Sequence, residues 1–174
     1  MKNVKDAGKF FQNPALDVVY KNNFMKKIII ILTIFFLDRI TKLYLINLEA
    51  TGVNVDFYIS SYLNIFLVWN TGIGFGIASL EANVFYHILT TIIAIINLVL
   101  IYLLYKASKN YLVPFALIIG GSLGNLFDRI YYYAVPDFVD FHLGDFHWFV
   151  FNVADISITM GIVYLMFNEF FSLT

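Results

Sequence analysis

The composition of this 174-residue chain is typical of an integral membrane protein. Hydrophobic residues make up 60% of it and charged residues 13%, with a mean hydropathy of +0.78, whereas soluble domains carry about 25% charged residues. The formal net charge of -1 offers no broad basic surface, so a nucleic-acid partner is not expected. The chain has no cysteine, which excludes disulfides, thiolate nucleophiles and cysteine metal sites.

Four apolar segments are long enough to cross a bilayer as helices, which takes roughly 20 residues each. Lysines lie at positions 26, 27, 106 and 109, and the connections after the first and third segments contain none. By the positive-inside rule, both termini face the cytoplasm and residues 47–83 and 130–150 lie outside. The sequence therefore predicts an all-α membrane protein with four transmembrane helices, over residues 28–46, 84–105, 111–127 with a further turn, and 151–170.

The N-terminal segment differs in composition from the rest of the chain. Residues 1–24 are polar and lysine-rich, and we interpret them as a cytosolic extension of unknown role that precedes a membrane domain of residues 25–174. A basic start followed by the apolar residues 28–37 is also typical of a secretory signal peptide. Charged side chains from Asp38 onward interrupt the region where a cleavage site should follow, so we expect the first helix to be retained.

The first predicted helix contains charged residues, and two of them have the spacing of an ion pair. Asp38 and Lys42 are four residues apart, with the acid first, so they share a helix face and are expected to pair. A pair that neutralises itself within a helix bundle requires no chemistry, and we interpret it as structural.

The connection between the first two helices contains a predicted β element. Residues 58–70 are rich in aromatic and β-branched side chains and end at the glycine-rich residues 70–76, which is typical of a strand followed by a turn. Aromatic residues are frequent in both outer connections, and such side chains favour the membrane interface. We therefore expect both outer connections to lie against the lipid headgroups.

Small and polar residues mark the third predicted helix. Gly120, Gly121 and Gly124 permit close contact with a neighbouring helix. Polar residues follow at the outer end of the helix: Asn125, Asp128 and Arg129. We interpret them as one structural cluster, although Arg129 could also meet a substrate carbonyl or a headgroup.

Two further aspartates, Asp137 and Asp155, have no basic residue within one helical turn. An ionisable side chain in hydrocarbon costs about 2.5 to 3.5 kcal/mol, so such residues are candidates for function. Asn152 and Asp155 share a face at the start of the last helix. If Asp137 approaches that face, two carboxyl groups share a site and one keeps its proton. Such a pair can deprotonate a water and polarise a peptide carbonyl, as in aspartic proteases.

Other interpretations of the polar residues remain open. Asp140, His142, Asp145 and His147 are of zinc-binding types, but we interpret them as solvated side chains and predict neither a metal nor a cofactor. A small proton-coupled transporter is the rival function, since intramembrane acids also form proton relays. Transport sites, however, cluster near the bilayer midplane, and both aspartates are predicted at one membrane edge. If the protein were a purely structural subunit, the presence of two unpaired acids in its apolar sequence would have no explanation.

The motifs occur in an order that resembles lipoprotein signal peptidase, the type II signal peptidase of bacteria. The resemblance covers residues 25–170 and consists of five blocks: Asp38-x-x-x-Lys42, Asn70-x-Gly72-x-x-Phe75, Gly120-Gly121-x-x-Gly124-Asn125-x-x-Asp128-Arg129, Val135-x-Asp137-Phe138, and Phe151-Asn152-x-Ala154-Asp155. It implies a four-helix aspartyl endopeptidase of the inner membrane with its active site at the extracytoplasmic face. The implied substrates are diacylglyceryl-modified prolipoproteins, cut just before the lipid-bearing cysteine. Membrane lipid is the other implied partner, and no obligate protein partner is expected.

The resemblance also implies roles for individual residues. Asp137 and Asp155 match the catalytic aspartates, and Asn70 and Arg129 match positions that contact the substrate. The remaining motif residues match positions that support the site: Asp38, Lys42, Gly72, Gly121, Asn125, Asp128, Asn152 and Ala154.

The chain departs from the family pattern at three positions. Ile73 and Gly74 follow Gly72 where small alanines are common, and Pro136 removes one backbone donor beside Asp137. The bulkier Ile73 is expected to change the local shape of the substrate platform, while the carboxylates are unaffected.

Overall fold

Helices and short strands alternate along residues 14–72 and 84–172, which are the residues that the computed structural model describes. A single turn of 3-10 helix, Lys109–Tyr111, precedes the third helix. The other elements, in chain order, are α1 Pro14–Ala50, β1 Asp56–Ser60, β2 Leu63–Asn70, α2 Val84–Lys106, α3 Leu112–Tyr131, β3 Val135–Leu143, β4 Phe146–Phe151 and α4 Val153–Ser172.

Three of the described helical segments are long and apolar enough to cross a membrane: Tyr86–Lys106, Lys109–Tyr131 and Val153–Phe171. The first helix is not among them, since charged residues at 38, 39 and 42 interrupt its apolar sequence. It begins at Pro14, a residue favoured at the first helical position. The segment interpreted as an extension, 1–24, therefore contains the start of a helix, and the predicted count of four spanning helices remains a prediction.

The four strands form one antiparallel sheet in the order β1-β2-β3-β4. The single strand predicted over residues 58–70 is instead a hairpin of β1 and β2. The second outer connection supplies β3 and β4, which the sequence analysis did not predict because aromatic residues there were assigned to the membrane interface. The turn between β3 and β4 contains Gly144 at φ 59°, a conformation that glycine adopts without a steric penalty.

Proline at position 136 is compatible with this sheet. Pro136 pairs with Trp69 of β2, and the pairing of β3 with β4 begins only at Val139. Among the described residues, β3 therefore has a neighbouring strand on one side only at Pro136, which is the arrangement in which a strand tolerates a missing N–H donor.

The third helix packs closely against α1 and α4 through glycines. A Cβ added to Gly120 would lie 2.9 Å from Cβ of Ile34 on α1, and one added to Gly121 would collide with the carbonyl oxygen of Ala154 on α4. The close helix contacts predicted for this glycine cluster are confirmed. Because the backbones approach this closely, polar groups of α1, α3 and α4 can reach one another.

A small apolar core attaches the sheet to the end of α1. Its buried members are Leu45, Val55 and Phe138, and partly buried side chains, Val153 among them, pack against it. Since Phe138 directly follows Asp137 in β3, this core fixes the position of that carboxylate relative to the helices.

Candidate active site

The carboxylate of Asp137 lies in the sheet and is held by two amides. Its side chain is almost fully buried, with 3% of the residue exposed. Oδ2 accepts a hydrogen bond from Nδ2 of Asn70 at 2.9 Å, and Oδ1 accepts one from Nδ2 of Asn152 at 2.5 Å. Neutral amides thus satisfy both oxygens, and no cation among the described residues forms an ion pair with them.

The carboxylate of Asp155 lies in the first turn of α4 and takes part in the cap of that helix. The backbone N–H of Asp155 donates to Oδ1 of Asn152 at 3.0 Å, and the N–H of Asn152 donates to Oδ2 of Asp155 at 3.1 Å. This reciprocal arrangement is a capping box, which satisfies two helix N–H groups. Asn125 on α3 donates a further bond to Oδ1 of Asp155 at 2.8 Å.

Both aspartates line one cavity of about 200 Å³. Asn152 connects them, because its amide nitrogen contacts Asp137 while its amide oxygen contacts the backbone of Asp155. The four residues predicted to act on substrate, Asn70, Arg129, Asp137 and Asp155, therefore line the same cavity. The other lining residues are Asn125, Val135, Phe149, Val150, Ile158 and Thr159.

The environment of Asp137 makes it less acidic than an ordinary aspartate. Burial is the largest cause, and the negative charge of Asp155 is the second; together they raise the pKa of Asp137 from 3.8 to about 6, against the opposing effect of the two amides. A carboxyl group with a pKa this close to neutrality can both accept and release a proton under physiological conditions.

Beside the cavity, Lys42 forms the centre of a buried network. Its Nζ donates to Oδ2 of Asp38 at 2.8 Å, to Oδ1 of Asn125 at 2.8 Å and to Oδ2 of Asp128 at 2.7 Å. An ammonium group has three N–H donors, so all are used. The predicted pairing of Asp38 with Lys42 is present, and it continues through Asn125 to Asp155.

Arg39 is a member of this network that the sequence analysis missed. Its Nη2 lies 2.5 Å from Oδ1 of Asp128, and its guanidinium carbon lies 5.0 Å from the centre of the Phe127 ring. The two cations of α1 thus balance the charges of Asp38 and Asp128. A count of charges would have found Arg39, because two buried acids with one lysine leave a carboxylate unpaired.

The polar residues at the outer end of α3 separate into two groups, so the prediction of one cluster is wrong. Asn125 and Asp128 point toward Lys42, whereas Nη2 of Arg129 donates to the carbonyl oxygen of Gly72 at 2.7 Å. The cause is geometric, since positions 128 and 129 lie about 100° apart around a helix of 3.6 residues per turn.

Arg129 and Asn70 meet through Gly72. The N–H of Gly72 donates to Oδ1 of Asn70 at 3.0 Å, while its carbonyl accepts from Arg129. Tyr86, which sequence analysis did not single out, donates from its hydroxyl to the carbonyl of Arg129 at 2.9 Å. The second nitrogen of the guanidinium, Nη1, is buried without a hydrogen-bond partner in the described part of the chain.

Ala154 and the glycines of α3 bring the network and the cavity together. The N–H of Ala154 donates to Oδ1 of Asp38 at 3.0 Å, and its carbonyl oxygen occupies the space left by the absent side chain of Gly121. A Cβ on Gly124 would lie 2.6 Å from Oδ2 of Asp38. The small residues thus leave room for a carboxylate between the helices.

The interpretation of the hairpin histidines and acids as solvated is wrong for part of the group. Asp140 is fully buried and His142 is 9% exposed; only Asp145, in the turn, and His147 are exposed. The carboxylate of Asp140 contacts both imidazoles, because these residues share one side of the hairpin. They do not line the cavity of the two aspartates. The departures at Ile73 and Gly74 lie outside the described residues.

Comparison with known proteins places this arrangement in one family. The family model described as Signal peptidase (SPase) II matches residues 30–171. The lipoprotein signal peptidase of Pelagibacter ubique is 48% identical over 149 residues, 86% of this chain and 90% of that protein. That of Anaplasma phagocytophilum is 39% identical over 145 residues, 82% of this chain and 90% of that protein. A bacterial membrane enzyme solved by the in meso method at 2.3 Å resolution is similar with a TM-score of 0.69 and 29% identity, over 86% of this chain and 90% of that one. The chain belongs to the signal peptidase II family.

Proposed function

We propose that Asp137 and Asp155 are the catalytic pair with which this signal peptidase II removes the signal peptide from prolipoproteins. The observation that carries the proposal is their pairing: two carboxylates line one cavity, share Asn152, and form no ion pair within the described residues. A carboxylate kept for structure alone is normally paired with a cation when buried. The relatives give no support to the transporter alternative.

The proposed reaction is hydrolysis by water without a covalent intermediate. The ionised aspartate accepts a proton from the attacking water, and the protonated one donates a hydrogen bond to the scissile carbonyl. The protonated carboxyl then supplies a proton to the leaving amine. Because the two groups interact, the proton belongs to the pair, and the raised pKa of Asp137 supports its holding that proton for part of the cycle.

Two residues at the cavity wall are proposed to position the peptide. Nη1 of Arg129 is buried and has no hydrogen-bond partner in the described residues, so it can donate to a substrate carbonyl. Asn70 already uses its amide nitrogen on Asp137 and its oxygen on Gly72. We therefore assign Asn70 to orienting the carboxylate and the adjoining turn as well as to contacting the peptide.

The lipid of the substrate has a suitable surface next to Asp155. A second depression beside this residue is lined by Phe149, Phe151, Ile156 and Met160, with Thr159. Acyl chains of a diacylglyceryl group that remain in the bilayer would contact such a surface, since each buried methylene contributes about 0.8 kcal/mol of membrane affinity. This arrangement supports cleavage just before a lipid-bearing cysteine.

The proposed location is the bacterial inner membrane, with α1 as a fourth spanning helix. Its charges turn inward, where Asp38, Arg39 and Lys42 are buried against α3. Large apolar side chains cover its outside and are about half exposed, as expected for contact with lipid: Ile29, Leu32, Phe36, Ile40 and Leu43. The lysines at 26, 27, 106 and 109 support cytoplasmic termini and an extracytoplasmic sheet and active site.

A cleavage assay with purified protein in detergent tests the proposal. The wild type should cut a diacylglyceryl prolipoprotein without ATP, an ion gradient or added metal, because a carboxylate activates the water. Asp137→Asn should be inactive, while the matched control Asp145→Asn, in the exposed hairpin turn, should keep the wild-type rate. Cleavage by Asp137→Asn at a rate near that of the control would refute the assignment.

A further inference from the structure

A second polar site lies in the β3–β4 hairpin, apart from the catalytic cavity. His142 and His147 are cross-strand partners, and Asp140 precedes His142 by two residues in β3. Asp140 and His142 are buried, whereas Phe141 between them is exposed, so the two buried side chains share one side of the strand. Three side chains of metal-binding types therefore lie together.

The distances among these side chains suit a small cation. Nδ1 of His147 lies 2.9 Å from Oδ2 of Asp140, and Nδ1 of His142 lies 3.3 Å from the same oxygen. One ligand atom from each residue lies within 4.8 Å of the others. A tetrahedral zinc ion with ligands at about 2.0 to 2.2 Å holds them roughly 3.5 Å apart, so small side-chain shifts would complete the coordination.

Two buried polar atoms near this site lack hydrogen-bond partners in the described residues. Nδ1 of His142 is one of them, because its contact with Asp140 lacks the geometry of a hydrogen bond. The other is Oδ1 of Asn64, and Asn64 is the cross-strand partner of Asp140 on β2. Directly opposed residues of an antiparallel pair have Cβ atoms about 4.5 to 5.5 Å apart. Asn64 therefore offers a further oxygen on the same face of the sheet as Asp140.

Hydrogen bonding alone accounts for only part of this arrangement. A bond between His147 and Asp140 would fasten the hairpin, but it leaves the His142 nitrogen and the Asn64 oxygen buried without partners, which is unfavourable. We propose that Asp140, His142 and His147 bind a zinc ion, with a fourth position beside Asn64. Two imidazoles and a carboxylate form a donor set that suits zinc.

The proposed ion has a structural role. Asp140 lies three residues after Asp137 in the same strand, and the zinc ligands come from both strands of the hairpin. A bound ion would therefore fix β3 to β4 next to the catalytic carboxylate. It would take no part in the hydrolysis, because none of its ligands lines the cavity.

Zinc titration of the full chain tests this site. The protein is purified in detergent without a polyhistidine tag, stripped of metal, and titrated calorimetrically with Zn²⁺. We expect one equivalent to bind, and His142→Gln and His147→Gln each to weaken binding by at least about tenfold, since even groups that only support a ligand contribute about 10- to 100-fold. His87→Gln is the matched control, since His87 is exposed on α2, and it should bind zinc with the wild-type affinity. Wild type without one bound equivalent, or equal affinities of His142→Gln and His87→Gln, would overturn the proposal.

Two further measurements keep the test decisive if the histidine variants fold poorly. Co²⁺ added to the stripped wild type should give the intense visible absorption of a four-coordinate ion, and a weak six-coordinate spectrum would count against the site. Zinc should also raise the Tm of the wild type and of His87→Gln, because a ligand that binds only the folded state stabilises it. An unchanged wild-type Tm at saturating zinc would likewise count against the proposed zinc site. Both readouts are independent of cleavage activity.

Discussion

Two groups of buried aspartates lie side by side in this protein and differ in their partners. Asp38 and Asp128 contact the cations of Lys42 and Arg39. Asp137, in β3, contacts neutral amides alone among the described residues. The first arrangement neutralises charge and holds helices together, whereas the second leaves a charge that burial makes unfavourable.

Aspartate therefore has two different environments in this small region of the protein: ion pairs between helices, and a cavity in which its charge has no cation beside it. A cation beside a buried carboxylate favours the charged form and offsets part of the cost of burying that charge. Asp137 has only amides as hydrogen-bond partners among the described residues, and its pKa is raised to about 6. Removal of the lysine from the paired group should therefore destabilise the protein, whereas replacement of Asp137 by asparagine should stabilise it at high pH, and the following variants test that contrast.

The largest expected effect is on catalysis by the unpaired group. Asp137→Asn and Asp155→Asn should each lose activity on the order of 10³- to 10⁴-fold, and the double variant should be hardly slower than either, because groups that act as one unit are strongly non-additive. Cleavage rates of the three variants in detergent check this. Losses that multiply in the double variant would mean that the two carboxylates act independently.

The next effect concerns the paired group. Lys42→Met leaves Asp38 and Asp128 with one cation between them, and we expect it to destabilise the protein by about 3 to 5 kcal/mol, the usual cost of breaking a buried pair. Adding Asp38→Asn should restore much of that loss, since the number of charges is again balanced. Folded yield and Tm measure both. If the second substitution gives no recovery, the pairing of Lys42 with Asp38 is not what stabilises the bundle.

A smaller effect, with the opposite sign, is expected for the stability of Asp137→Asn. The folded-state pKa of about 6 lies above the ordinary value of 3.8, so the folded protein binds the proton more tightly than the unfolded chain. Ionisation of Asp137 therefore reduces stability as the pH rises from about 3.8 to about 6, and the full cost is present above that range. Relative to the wild type, the variant should gain Tm at pH 8 and show little gain at pH 4. A variant that is less stable than the wild type at pH 8 would contradict the contrast with the paired group.

The smallest effect is predicted for Asn152→Ser. Serine is a good N-cap residue, so the start of α4 should lose less than about 1 kcal/mol. The amide that lowers the pKa of Asp137 is lost, however, and the limb of the pH–rate profile that reports this group should move to higher pH. Profiles of kcat/KM for variant and wild type check the shift, and a limb that moves to lower pH would oppose the proposed role of the amide.

Local patterns explain what could be predicted from the sequence. Asp38 and Lys42 are four residues apart on one helix, so their pairing needs no knowledge of the fold. Contacts between elements are different: nothing in the spacing of Arg39 and Asp128 indicates that α1 and α3 meet there. Asp137 and Asp155 could be selected because they lack local cations. That Asn152 connects them depends on the pairing of β3 with β4, which brings Asn152 beside Asp137.

The sheet was the least predictable part of the fold. Residues 135–151 combine a proline, a run of aromatics and two histidines, a composition that membrane interfaces and strands share. Residues 135–143 become a strand of the sheet through their pairing with β2. Such long-range pairing is not visible in the local periodicity of the sequence. The burial of Asp140 depends on the same pairing and was missed with it.

The connection between β4 and α4 consists of the single residue Asn152. Asp137 lies in the sheet and Asp155 in the first turn of α4, so Asn152 is the only residue between the strand β4 and the helix that carries Asp155. A tilt of the β3–β4 hairpin about Asn152 would change the distance between the carboxylates of Asp137 and Asp155. We therefore expect a ligand bound to the outer surface of the hairpin to change the distance between Asp137 and Asp155 without entering the cavity.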